Sequence, residues 1–211
     1  VRTIVCFGDS NTHGASATDQ TRLARDTRWP GVLRAELGPD FEVIEEGLNG
    51  RTAVAPDPLG DDRSAGAYLQ PCLWSHEPVD LVIVMLGTND LKGVYRLAAD
   101  QIARGVGHLV DVARRSLAGP DGTPPAVLVI CPPPLAAPTM PDAELWGFGA
   151  SIEESRRLAP FYQLMAERSG VAFIDAGTVV STSRMDGVHL DPEAHAALGQ
   201  AVAAKVREIL G

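Results

Sequence analysis

The chain has 211 residues, 45% apolar and 21% charged, ordinary globular usage that speaks against a disordered or fibrous role and suits one domain over residues 1–211. With 18 Lys and Arg against 27 Asp and Glu, the formal charge is -9, so the molecule as a whole repels a phosphate backbone and nucleic acid is not expected as a partner. No apolar run reaches the roughly 18 to 20 residues that span a bilayer, and the first residues lack a signal-peptide pattern; no membrane partner and a cytoplasmic address are expected.

In chain order, the first predicted strand covers residues 3–7 and runs straight into Gly8-Asp9-Ser10, a buried-looking segment that ends by presenting a hydroxyl. Thr27 is placed to cap a helix with Pro30 in its first turn, an apolar side of Val32, Leu33, Ala35 and Leu37, and Gly38 as its end. A second strand, 41–44, leads to Gly47-Leu48-Asn49-Gly50. After a long loop, 55–66, comes a helix over 67–75, then a third strand, 81–86, leading to Gly87-Thr88-Asn89-Asp90. A helix over 98–117 precedes the fourth strand, 126–131. The loop 132–149 is stiffened by prolines and carries Trp146 and Phe148, which are expected to wall an apolar pocket or a subunit contact, or only to pack on the surface.

A helix over 152–168, with Pro160 marking a kink or a start, leads to the fifth strand, 171–174. Asp186-Gly187-Val188-His189 then precedes a last helix capped by Asp191 and opened by Pro192, whose apolar side is Ala194, Leu198, Ala201, Val202 and Ile209. Near-continuous apolar strands alternating with helices predict a parallel sheet covered on both faces.

Ligands of open parallel sheets bind outside the carboxyl ends of the strands. The residues expected at that rim supply the parts that acyl transfer by serine needs. Ser10 offers a hydroxyl, His189 a base, and Asp186, three residues before it, a carboxylate to orient the ring. The Ser10 N–H, the Gly50 N–H and the Asn89 amide are candidate oxyanion donors. Taken alone, Ser10 could instead be a helix cap. Asp9 and Asp90 are expected to brace loops by accepting backbone N–H bonds. His13, three residues after Ser10, could touch substrate; His76 and His108 read as surface residues, and His195 falls on the polar side of the last helix. Cys6, Cys72 and Cys131 read as core filler. No segment carries metal-ligand spacing or a nucleotide-binding glycine motif, so no metal is expected.

Four blocks, "FGDSNTHG", "EEGLNGRT", "VMLGTND" and "DGVHL", resemble in order and spacing the SGNH (GDSL) hydrolase superfamily. Longer stretches, "FEVIEEGLNGRT", "DLVIVMLGTND", "CPPPLAAP" and "FIDAGTVVST", are similar to its bacterial arylesterase and acyltransferase branch. The resemblance implies an α/β, flavodoxin-like three-layer sandwich with a five-stranded parallel sheet, ester hydrolysis through an acyl-enzyme, no cofactor, and a homo-oligomer with restricted access to the site. It places the triad on Ser10, Asp186 and His189 and the oxyanion donors on Ser10, Gly50 and Asn89. Where that branch can carry tryptophans just after the nucleophile, this chain has His13 and Ala15, which makes the mouth less aromatic and bears on any preference for alcohols over water.

The expected substrate is a small short-chain or aryl ester, contacted by His13, Trp146 and Phe148, with acyl transfer to an alcohol or peroxide as a further outcome. Two other readings are a carbohydrate O-acetyl esterase and a non-catalytic flavodoxin-like binding module. The mark of the latter would be a missing triad or oxyanion residue, and none is missing.

Overall fold

The computed structural model describes residues 1–56 and 63–211, so the middle of the expected loop 55–66 lies outside the described residues. In chain order the elements are β1 (Arg2–Gly8), α1 (Ser10–His13), α2 (Trp29–Leu37), β2 (Phe41–Gly47), α3 (Ala65–Ser75), β3 (Leu81–Met85), α4 (Ala99–Arg115), β4 (Ala126–Cys131), α5 (Ile152–Arg156), α6 (Leu158–Ser169), β5 (Ala172–Asp175) and α7 (Pro192–Leu210). The strands form one five-stranded sheet in the order β2-β1-β3-β4-β5, and every neighbouring pair is parallel. This is the flavodoxin-like order, whose switch point falls between β1 and β3.

Alternation along β1 explains the layering. Val5 and Phe7 face one apolar cluster, with Leu69 of α3, Ile102 and Val106 of α4 and Tyr162 of α6. Ile4 and Cys6 face the other, with Trp29 and Leu33 of α2 and Leu198 and Val202 of α7. A strand buried on both sides has no polar face to show, which is why β1, β3 and β4 read as unbroken apolar runs. Among the described residues no helix is long and apolar enough to cross a membrane.

The structure differs from the sequence expectations where tertiary partners intervene. β2 continues through Glu45 and Glu46 to Gly47; as an edge strand it tolerates charge, and Glu45 is met by Arg28 at 2.8 Å and Arg34 at 3.1 Å. The helix expected over 152–168 is two helices, α5 and α6, and Pro160 lies in the first turn of the second. Thr27 does not cap α2, which starts at Trp29 behind Arg28, a residue making no side-chain capping bond. Its first N–H is taken instead by Nδ1 of His195, 3.2 Å from the Trp29 nitrogen. His195 is therefore not on a polar side of α7: it is fully buried against α2, a placement that helical periodicity could not reveal because the cap comes from another helix. Asp191 occupies the N-cap position of α7 without a side-chain capping bond.

Candidate active site

Register places the site. Gly8 pairs with Gly47 on one side and Met85 on the other, so β1, β2 and β3 end at one level, and the residues after them share a rim. The turn from β1 into α1 is tight: a Cβ on Gly8 would lie 2.0 Å from the Thr12 hydroxyl and 2.8 Å from the Met85 carbonyl. Asp9 caps α1 by accepting the Asn11 N–H at 2.9 Å, and its own carboxyl is pushed up to about 6 by burial. Ser10 thus becomes the first helical residue, and the N–H of that position has no intrahelical acceptor.

From the far end of the chain, the segment between β5 and α7 brings His189 onto Ser10. The Ser10 Oγ lies 2.9 Å from His189 Nε2, and His189 Nδ1 lies 2.6 Å from Asp186 Oδ2. The other Asp186 oxygen accepts the N–H of Val188 at 2.8 Å and of His189 at 2.9 Å. Burial works against the Asp186 charge, but the hydrogen bond and charge of His189 and these two N–H donors outweigh it and hold the carboxyl below its ordinary value. All three side chains are buried.

The second rim segment is a turn. The Arg51 N–H reaches the Leu48 carbonyl at 3.1 Å, and Gly50 takes a φ of +78° at the third position, where a positive φ favours glycine. Asn89, in the short 3₁₀ turn after β3, donates from its amide to the Arg51 carbonyl at 3.1 Å; an amide nitrogen has two protons, and the second remains for another acceptor. Asp90, fully buried, accepts the N–H groups of Ala53 (2.8 Å), Val54 (2.8 Å) and Ala55 (3.3 Å). Its carboxylate so fixes the chain that follows Gly50, as expected, although burial raises its pKa against the pull of these donors.

Of the three residues expected to contact substrate, Trp146 sets its ring edge-on to His189, centroids 5.8 Å apart. Phe148 is buried, beneath the Lys92 ammonium at 5.5 Å, and shares a cavity of about 250 Å³ with Leu135, Ile152, Asp186 and Val188. His13 is carried by α1 to the Gly47 end of β2, where burial and the charges of Arg22 and Arg28 lower its pKa.

Two residues escaped the sequence reading. Asn11 donates to the Val188 carbonyl at 3.2 Å and accepts the Leu190 N–H at 3.1 Å, gripping the backbone on both sides of His189. Arg51, buried, donates to the carbonyls of Gly8, at 2.9 Å, and Glu46 and lies 4.1 Å over the Phe7 ring, tying the ends of β1 and β2 to the turn that holds Gly50. Among the described residues, one group of His, Cys and carboxylate side chains converges closely enough to ligate a metal, Glu46, Cys72 and His76, and it includes none of the Ser10, His189 and Asp186 groups.

A flavodoxin-like sheet with a hydrogen-bonded Ser, His and Asp chain at the carboxyl rim defines a serine hydrolase of the α/β class. The chain belongs to the GDSL-like lipase/acylhydrolase family, whose model matches residues 6–197, and it is a carboxylic ester hydrolase. Among solved structures it is similar to the aryl esterase of M. smegmatis, with 42% identity and a TM-score of 0.93 over 99% of this chain and 100% of that one. A carbohydrate acetylesterase from Sinorhizobium meliloti matches with 41% identity and a TM-score of 0.92, again over 99% and 100% of the two chains. No curated protein matches.

Proposed function

We propose that Ser10 is the nucleophile, His189 its general base and Asp186 the carboxylate that orients the ring and supports its charge. The Ser10 proton passes to Nε2 as Oγ attacks the ester carbonyl. The Ser10 N–H, the Gly50 N–H and the free proton of the Asn89 amide then stabilise the oxyanion. As the tetrahedral intermediate collapses, His189 returns the proton to the departing alcohol; a water, activated in the same way, then releases the acid. The observation that carries this reading is the unbroken hydrogen-bond chain from Ser10 through His189 to Asp186, at 2.9 and 2.6 Å.

A fluorophosphonate should add its mass to Ser10 and nowhere else, and Ser10→Ala should lose the label and roughly 10⁶-fold in kcat. Full turnover by Ser10→Ala would refute the assignment.

The substrate class this reading favours is a short-chain or aryl ester. Trp146 offers an aromatic wall beside His189, and exposed apolar side chains at Leu48, Val54, Leu145 and Met185 flank the site segments, a setting for an apolar leaving group. The second reading, an O-acetyl ester on carbohydrate, is favoured by the similarity to the S. meliloti acetylesterase. Parallel kcat/KM values on aryl acetates and acetylated sugars decide between them. The same apolar rim supports a homo-oligomer in which neighbouring copies narrow the mouth, and light scattering at one-subunit mass would remove that part of the proposal. Transfer of the acyl group to an added alcohol or peroxide in place of water is read from the product ratio.

A further inference from the structure

Glu46 near the end of β2, Cys72 on α3 and His76 at the C-terminal cap of α3 each offer one ligand atom, and these atoms all lie within 4.8 Å of one another. We propose that these three side chains bind a divalent transition-metal cation of the zinc class, at a place separate from the ester-hydrolysing groups.

Cys72 and His76 are four residues apart, the spacing that stacks two side chains on one face of a helix, and Glu46 faces them from the neighbouring strand. The ligand types choose the ion. A thiolate and an imidazole beside one carboxylate suit zinc, cobalt or nickel, whereas magnesium and calcium require oxygen. At present His76 Nε2 and Glu46 Oε1 are 2.9 Å apart, and Tyr68 donates its hydroxyl proton to Glu46 Oε2 at 3.2 Å. A cation entering the group would replace the imidazole–carboxylate contact with two coordinate bonds and displace the Cys72 thiol proton to solvent. Only a modest movement is needed, since ligand bonds of about 2.0 to 2.3 Å place ligand atoms roughly 3.3 to 3.8 Å from each other around a tetrahedral ion.

Charge closes the argument. The two negative charges of thiolate and carboxylate match the cation, so the Arg51 guanidinium nearby, held by the Gly8 and Glu46 carbonyls and the Phe7 ring, meets a neutral cluster. Glu46 also lines a cavity of about 390 Å³ with Arg51, Ser64 and Tyr68, and a water or the Tyr68 hydroxyl, already bonded to Glu46, is available as a fourth ligand. Sequence spacing concealed the group because one of its three members lies on a distant strand.

Cobalt(II) alone is the probe, titrated into the chain without a histidine tag. One equivalent should produce the intense near-ultraviolet thiolate-to-cobalt band together with the visible bands of a tetrahedral ion, and added zinc should bleach both. Cys72→Ser should remove the thiolate band, and His76→Ala should weaken binding by at least about 100-fold because one of three ligands is lost. Ser10→Ala should bind cobalt like the parent, so a failed triad assignment leaves this result untouched. If Cys72→Ser does not fold, as judged by its circular dichroism melt, His76→Ala carries the test. Absence of the thiolate band at millimolar cobalt, or spectra in folded His76→Ala identical to the parent, overturns the proposal.

Discussion

At the scale of single residues, Asn11 shows how the Ser10–His189 contact is held from outside it. Its side chain bonds to the backbone of both neighbours of His189, so the imidazole is aimed by the residue adjacent to Ser10. Asn11→Ala should lower kcat by about 10- to 100-fold, the cost of a displacement on the ångström scale, while KM stays close to the parent value. A variant with unchanged kcat and raised KM would make Asn11 a substrate contact instead. That Ser10, Asp186 and His189 come together was legible in the sequence, because each follows a strand and a hydroxyl, an imidazole and a carboxylate have complementary chemistry. Asn11 and Arg51 were not, because their roles lie in partners that only folding supplies: carbonyls and an N–H from segments remote in the chain.

At the scale of elements, the junction of α2 and α7 carries a pH dependence. His195 receives the Trp29 N–H on Nδ1, so its ring must remain neutral. Burial, followed by the charges of His189 and Arg28, lowers its pKa to about 4 from 6.5. The folded value lies below the unfolded one, so the unfolded chain binds this proton more readily. The contribution is complete above about pH 6.5 and disappears as pH falls toward 4, costing about 2 kcal/mol between pH 7 and 5. Urea unfolding across that range should show the loss, and His195→Gln, which keeps an acceptor but does not titrate, should flatten it. A parent and variant with parallel acid limbs would assign the loss to other groups. The elements themselves were legible in proportion to how far their own sequence determines them. The interior strands announce themselves by apolar continuity; β2 was cut short because its outer half carries the carboxylates of an edge, and α1, four residues long, is too short for any periodicity.

At the scale of the molecule, the sheet order sets a strict requirement. The N-terminal side of the exposed turn at Pro120–Gly122 carries Ser10, Gly50 and Asn89; the C-terminal side carries Asp186, His189, and the two strands that extend the sheet beyond β3. Two fragments divided within that turn should each be inert toward a fluorophosphonate and should regain labelling when mixed, as β4 pairs with β3 from Leu81 opposite Ala126 to Met85 opposite Ile130. Labelling of the first fragment alone at the parent rate would argue against dependence on the second. The hydroxyl and the imidazole are 179 positions apart, and this spacing has a consequence during synthesis. The serine leaves the ribosome long before the imidazole that it meets in the fold, so under the proposed assignment the nascent polypeptide carries a dormant nucleophile while the intervening chain is made. Its reactivity should then await the arrival of the segment that carries Asp186 and His189.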